Sequence, residues 1–129
     1  MRRVLLIEDD ALFRDRVAAS LRRAGFEAHC ACDGESGWAA LEQFPPHLIL
    51  LDLVLPRLSG LALLRRMRSS GRWNAVPVLV VSAHCHKAEE AVTNGAQGYL
   101  IKGHFAMTQL LDAVRMWTRA SPGPGAAAA

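Results

Sequence analysis

No apolar stretch among the 129 residues approaches the roughly 20 needed to span a bilayer. Met1-Arg2-Arg3 leads straight into a run of four apolar residues, too short for the core of a signal peptide. Cysteine is scarce as well. Cys30, Cys32 and Cys85 make an odd count of three, which cannot form a paired disulfide framework and suits a reducing compartment. The expectation is a cytoplasmic protein with no membrane contact. Charge of one sign is also missing. The net charge of +3, from 15 basic and 12 acidic residues, is too mild to imply direct nucleic-acid binding. The densest basic group, Arg65, Arg66, Arg68 and Arg72, reads as a solvated helix face. No internal repeat is present.

Four short apolar runs are present, each ending in a polar group. Val4-Leu5-Leu6-Ile7 is followed by Glu8-Asp9-Asp10, and Leu48-Ile49-Leu50-Leu51 by Asp52. Val78-Leu79-Val80-Val81 is followed by Ser82, and Tyr99-Leu100-Ile101 by Lys102. Continuous apolar runs of this length read as strands buried on both faces of a parallel sheet. A fifth, alternating run at Phe26, Ala28 and Cys30 reads as a half-buried edge strand. Helical spacing appears between them. Phe13, Val17, Leu21 and Ala24 mark residues 12–24, with Gly25 as the stop. Trp38 and Leu41 mark residues 34–44, stopped by Pro45-Pro46. Ser59 is placed to cap a helix running to about residue 70. Ala88, Ala91, Val92 and Gly95 mark a short helix, and Leu110, Leu111, Val114 and Trp117 a last one. Five strands alternating with five helices predict an α/β fold with helices on both faces of a parallel sheet.

In such sheets ligands bind beyond the carboxyl ends of the strands. One edge is therefore expected to gather Glu8, Asp9, Asp52, Ser82 and Lys102. Carboxylates from two strand ends suit a hard cation such as Mg²⁺, which prefers oxygen ligands. Together with an ammonium and a hydroxyl they suit a phosphoryl group. Asp52, central and at a strand end, is the candidate nucleophile towards phosphorus, forming an aspartyl phosphate. Lys102 is expected to pair with phosphoryl oxygens as a point charge, and Ser82 to donate a hydrogen bond. Acidic residues after a strand often only cap the next helix. The inference rests on polar groups of complementary chemistry at four strand ends.

With these motifs, residues 1–119 resemble the receiver domain of two-component response regulators. The resemblance is carried by Val-Leu-Leu-Ile-Glu-Asp-Asp, by Leu-Asp-Leu-Val-Leu-Pro-Arg-Leu-Ser-Gly around Asp52, by Val-Leu-Val-Val-Ser-Ala and by Gly-Tyr-Leu-Ile-Lys. It implies a flavodoxin-like doubly wound sheet of five parallel strands in the order 2-1-3-4-5, with five helices. It implies phosphoryl transfer to Asp52 from a sensor histidine kinase or phosphotransfer protein. Glu8, Asp9, Asp52 and the backbone carbonyl of Val54 are then the Mg²⁺ ligands. Ser82 and Tyr99 are the switch residues, acting on a face made of the fourth helix, last strand and last helix. The resemblance implies a phosphoacceptor that assists its own phosphorylation and dephosphorylation, not an enzyme with a separate substrate. Its partner is a downstream protein or a C-terminal output domain outside this chain. The last-helix face with Arg115, Met116 and Trp117 is a candidate either for phosphorylation-dependent homodimerisation or simply for packing into the core.

The alternative is a pseudo-receiver that binds partners without phosphorylation. A dehalogenase-type phosphatase needs a second acid two residues after its nucleophile, where Val54 stands here. A flavodoxin needs a phosphate-cradling loop, where this chain has Glu8-Asp9-Asp10. Two departures from the resemblance stand out. Glu8 replaces the commoner Asp, and Gly103 replaces a proline usually preceded by a cis bond, so a trans bond is expected. His84-Cys85-His86 is expected in an exposed loop near His104, with His84 at the mouth of the site, where it would tune access of water. Residues 120–129, ending Pro-Gly-Pro-Gly-Ala-Ala-Ala-Ala, read as a flexible tail or linker stub.

Overall fold

The computed structural model describes residues 2–120. The expected tail lies, beyond Ala120, outside the described residues. The chain alternates strictly: β1 (Arg3–Ile7), α1 (Ala11–Arg23), β2 (Glu27–Ala31), α2 (Gly34–Gln43), β3 (Leu48–Leu51), α3 (Gly60–Arg68), β4 (Val78–Ser82), α4 (Cys85–Thr93), β5 (Gly98–Ile101) and α5 (Met107–Ala120). All strand pairs are parallel, in the order β2-β1-β3-β4-β5. The expected flavodoxin-like order and element count are both present. No helix among the described residues is long and apolar enough to cross a membrane.

Alternation along each strand divides the core in two, because successive side chains point to opposite faces. Leu5, Ile7, Ile49, Leu51, Val78 and Val80 pack with Leu41, Leu63, Leu64 and Met67 on the α2–α3–α4 side. Val4, Leu6, Leu48, Leu50, Leu79 and Val81 pack with Val17, Leu21, Leu110 and Val114 on the α1–α5 side. Such burial contributes roughly 1.5–3 kcal/mol for each large apolar side chain. The central strands have no exposed face, which is why their sequences show no polar alternation. At the edge, β2 exposes Glu27 and His29, as its alternating pattern predicts.

Register brings the polar strand ends together. Ile7 lies beside both Ala31 and Leu51. The ladder continues past the strands. Glu8 N–H donates to the Ala31 carbonyl at 3.0 Å and Asp52 N–H to the Ile7 carbonyl at 3.0 Å. Lys102 N–H donates to the Ser82 carbonyl at 2.8 Å. Glu8, Asp52, Ser82 and Lys102 thus leave the sheet along one edge.

The helix starts follow from short polar side chains. Asp10 caps α1 through the N–H groups of Leu12 and Phe13, Asp33 caps α2 through Ser36, and Ser59 caps α3 through Ala62, as expected of it. Ser82 closes β4 as its last residue, at the strand end expected of it. Two sequence expectations are corrected. Cys85 and His86 are the first turn of α4, with His84 as an N-cap that makes no side-chain hydrogen bond. Arg68 is not a solvated residue. It is partly buried, and its guanidinium donates to the carbonyls of Asn74, Val76 and Gly95 and to Gln97 Oε1. Helical spacing alone cannot reveal loop carbonyls gathered at a helix end.

Candidate functional site

At the carboxyl edge of the sheet, Glu8, Asp9 and Asp52 each offer a carboxylate oxygen, and these atoms all lie within 4.8 Å of one another. Glu8 and Asp52 are buried and Asp9 is exposed. The donors are all oxygen, two from buried groups and one from an exposed group. That fits a hard divalent cation such as Mg²⁺ and does not fit a soft, thiolate-seeking metal.

Lys102 crosses this cluster from the end of β5. Its Nζ lies 2.7 Å from Glu8 Oε1 and 3.5 Å from Asp52 Oδ2. It also lies 4.7 Å from the centre of the Phe13 ring, a cation–π contact from α1. One ammonium cannot neutralise several carboxylates. Burial and the Asp52 charge, against hydrogen bonds from Lys102 and the Asp10 N–H, push the Glu8 carboxyl up from 4.5 to about 7. Burial opposes the Lys102 charge, but the Glu8 bond and the Asp52 and Glu8 charges outweigh it, so its pKa is raised and it stays protonated.

Asp52 is oriented by its own chain. Its Oδ1 accepts the Val54 N–H at 3.3 Å, which leaves Oδ2 towards Lys102. The chain must turn sharply here, because Gly60 at the start of α3 presses on the Asp52 carbonyl so closely that any Cβ would overlap it. The Val54 side chain is exposed at the mouth of the site.

Ser82 is fully buried at the end of β4, and its Oγ accepts the His84 N–H at 3.1 Å. Its hydroxyl is thus engaged with the β4–α4 loop, not bonded to Asp52 or Lys102. Tyr99, the one tyrosine, is 38% exposed on β5. Gly103 follows Lys102 with φ 85°, and no peptide bond among the described residues is cis. His84, Cys85, His86 and His104 join no cluster of three metal-ligating groups among the described residues.

The structure therefore brings Glu8, Asp9, Asp52 and Lys102 together, with Ser82 at the neighbouring strand end. Sequence reasoning missed the Phe13 contact, because nothing in the α1 pattern separates a ring facing the site from one facing the core. It also missed Asp33 at the end of β2, although Asp-Gly after a strand signals a cap. Buried beside the site loops, Asp33 lies 3.7 Å from the Arg57 guanidinium.

Comparison with known proteins adds an independent line. A family described as the response regulator receiver domain matches residues 4–115. The DNA-binding dual master transcriptional regulator RpaA of Synechocystis sp. is 36% identical over 121 residues, covering 92% of this chain and 50% of that protein. The transcriptional regulatory protein QseB of Haemophilus influenzae is 38% identical over 110 residues, covering 84% of this chain and 48% of its own length. The chain thus spans about half the length of these curated relatives. Among solved structures, the receiver domain of NtrX from Brucella abortus superposes with a TM-score of 0.84 at 31% identity, over 92% of this chain and 99% of that domain.

Proposed function

Because the chain belongs to the response regulator receiver domain family, we propose that it works in a two-component phosphorelay, with Asp52 accepting a phosphoryl group. The observation that carries this reading is Lys102 Nζ, 3.5 Å from Asp52 Oδ2 and inside a cluster of three carboxylates at the carboxyl edge of the sheet. The donor would be a phosphohistidine on a sensor kinase or phosphotransfer protein. Asp52 Oδ2 forms the new O–P bond while the N–P bond of the phosphohistidine breaks, its electron pair staying with the imidazole. Mg²⁺, when bound by Glu8, Asp9, Asp52 and the Val54 carbonyl, would offset the carboxylate charge and polarise the phosphoryl oxygens. Lys102 then exchanges part of its contact with Asp52 for the phosphoryl oxygens. Phosphoryl transfer needs positioning and charge stabilisation more than a strong base.

The switch follows from where Ser82 stands. A phosphoryl group on Asp52 would draw its hydroxyl from the His84 N–H, pull on the β4–α4 loop and favour an inward Tyr99. The α4–β5–α5 face would carry that change to a downstream protein, an output domain or a second copy of the chain. The site assists gain and loss of its own phosphoryl group without turning over a separate substrate. Such a module would act in the cytoplasm.

The test is incubation with Mg²⁺ and acetyl phosphate followed by intact mass measurement. One phosphoryl group is expected, absent in Asp52→Asn and absent without Mg²⁺. A folded protein that takes up none would overturn the reading in favour of phosphorylation-independent partner binding.

A further inference from the structure

The turn after Asp52 is held by groups that the proposed chemistry does not touch. Arg57 has φ 70°, and the Leu58 N–H donates to the Pro56 carbonyl at 2.9 Å. That is a γ-turn of the rare positive-φ kind, which strains an L residue. Glycine would adopt it freely, yet arginine stands there. Strain kept at a non-glycine residue close to a site points to a use for it.

Three contacts tie the turn down. The Arg57 Nε reaches Asp33 Oδ2 at 3.7 Å; the Arg57 side chain is largely exposed and that of Asp33 buried. Asp33 is itself fixed, since Oδ1 accepts the Ser36 N–H at 2.7 Å as the cap of α2. Beside it, Leu58 lies so close over Gly34 that a Cβ on Gly34 would overlap the Leu58 carbonyl. At the other end, the Gly60 N–H closes the loop on the Leu53 carbonyl at 2.9 Å. Between these anchors sits Val54, whose N–H holds Asp52 Oδ1. The direction in which Asp52 presents Oδ2 therefore depends on the turn's conformation.

We propose that Asp33 and Arg57 are positioning residues for phosphoryl transfer: their ion pair locks the strained Pro56–Leu58 turn, and the turn keeps the Val54 N–H on Asp52 Oδ1. The inference rests on Asp52 being the phosphoacceptor. Neither residue touches the phosphoryl group or the cation; both act through the backbone of residues 53–58. Sequence inspection does not reveal the pair, because Asp33 and Arg57 sit in different loops and look like an ordinary cap and an ordinary surface charge.

Three variants test it: Asp33→Asn, Arg57→Gly and the double variant. Asparagine caps α2 as well as aspartate does, so the fold is kept. Glycine accepts the positive φ, so the Arg57→Gly denaturation midpoint is expected no lower than that of the unsubstituted chain. The first readout is the Val54 amide proton in a ¹H–¹⁵N spectrum, which needs no phosphorylation. It is expected to move upfield in all three variants as its hydrogen bond lengthens. The second is the rate of Asp52 phosphorylation by acetyl phosphate at saturating Mg²⁺. About a fivefold fall is expected in each single variant, the scale of one partly exposed ion pair, with no further fall in the double variant. A slower reaction in a protein no less stable is a combination that a purely structural role would not give. An unmoved Val54 amide, rates within about twofold of the unsubstituted chain, or effects that multiply in the double variant would each overturn the proposal. If the unsubstituted chain takes up no phosphoryl group, the phosphoacceptor reading falls and this role with it. The Val54 amide then still reports whether the lock exists.

Discussion

Glu8 carries two opposed demands. To serve the proposed cation it must be ionised, and as a buried carboxylate beside Asp52 it resists ionisation. Its carboxyl is pushed up from 4.5 to about 7, with burial as the main cause. The folded chain therefore binds more protons than the unfolded chain between those two values. Glu8's contribution to stability without a cation should fall as pH rises from about 4.5 to 7 and then level off. Urea midpoints in EDTA across that range check the sign, and Glu8→Gln should flatten the decline. The same pH dependence in Glu8→Gln as in the unsubstituted chain would refute the assignment. The sequence marked Glu8 as a candidate ligand but did not show its burial, which arises because the β1 ladder carries Glu8 N–H onto the Ala31 carbonyl one residue past the strand.

At the scale of elements, the strands were legible because their apolar runs are uninterrupted, and their carboxyl ends because each run stops at a polar residue. The Ser59 cap was legible from one residue type in one place. The start of α4 was not. His84 makes no side-chain cap, and the histidines around Cys85 carry no helical period, so α4 begins at Cys85, ahead of the Ala88-to-Gly95 pattern that marked it. Arg68 was misread for a related reason. Its neighbours Arg65 and Arg66 are exposed, and only the folded chain places the carbonyls of Asn74, Val76 and Gly95 around the third arginine. Arg68 thereby fastens the end of α3 to the start of β4 and to the α4–β5 corner. Gly95 admits it, since φ there is 107° and a Cβ would lie 2.8 Å from Arg68 Nε. Arg68→Ala leaves these carbonyls without their donor and should cost about 2 kcal/mol. Arg66→Ala, which loses an exposed ion pair and a contact with Trp38, should cost less than about 1 kcal/mol. Denaturant titration of both variants decides the matter, and equal losses would remove the special role given to Arg68.

At the scale of the whole molecule, the sheet holds like charges close together, so site and fold are thermodynamically linked. Glu8, Asp9 and Asp52 reach one place only when β1 and β3 are paired, because Ile7 and Leu51 must lie side by side first. The unfolded chain offers no comparable cluster. A cation that binds there stabilises the folded state by RT ln(1 + [L]/Kd), about 1.4 kcal/mol at tenfold over Kd. The urea midpoint should therefore rise with Mg²⁺ concentration while the slope of the transition stays constant, since the surface exposed on unfolding does not change. Asp9→Ala removes the exposed ligand without opening the core, so it should abolish the rise and leave the Mg²⁺-free midpoint nearly unchanged. Above pH 7 the rise should be larger than at pH 5.5, because below about 7 the cation must first displace a proton from Glu8. A rise that survives Asp9→Ala would place the cation elsewhere. Stabilisation without pH dependence would instead separate Glu8 from the ligand set, leaving it as the partner of Lys102 alone.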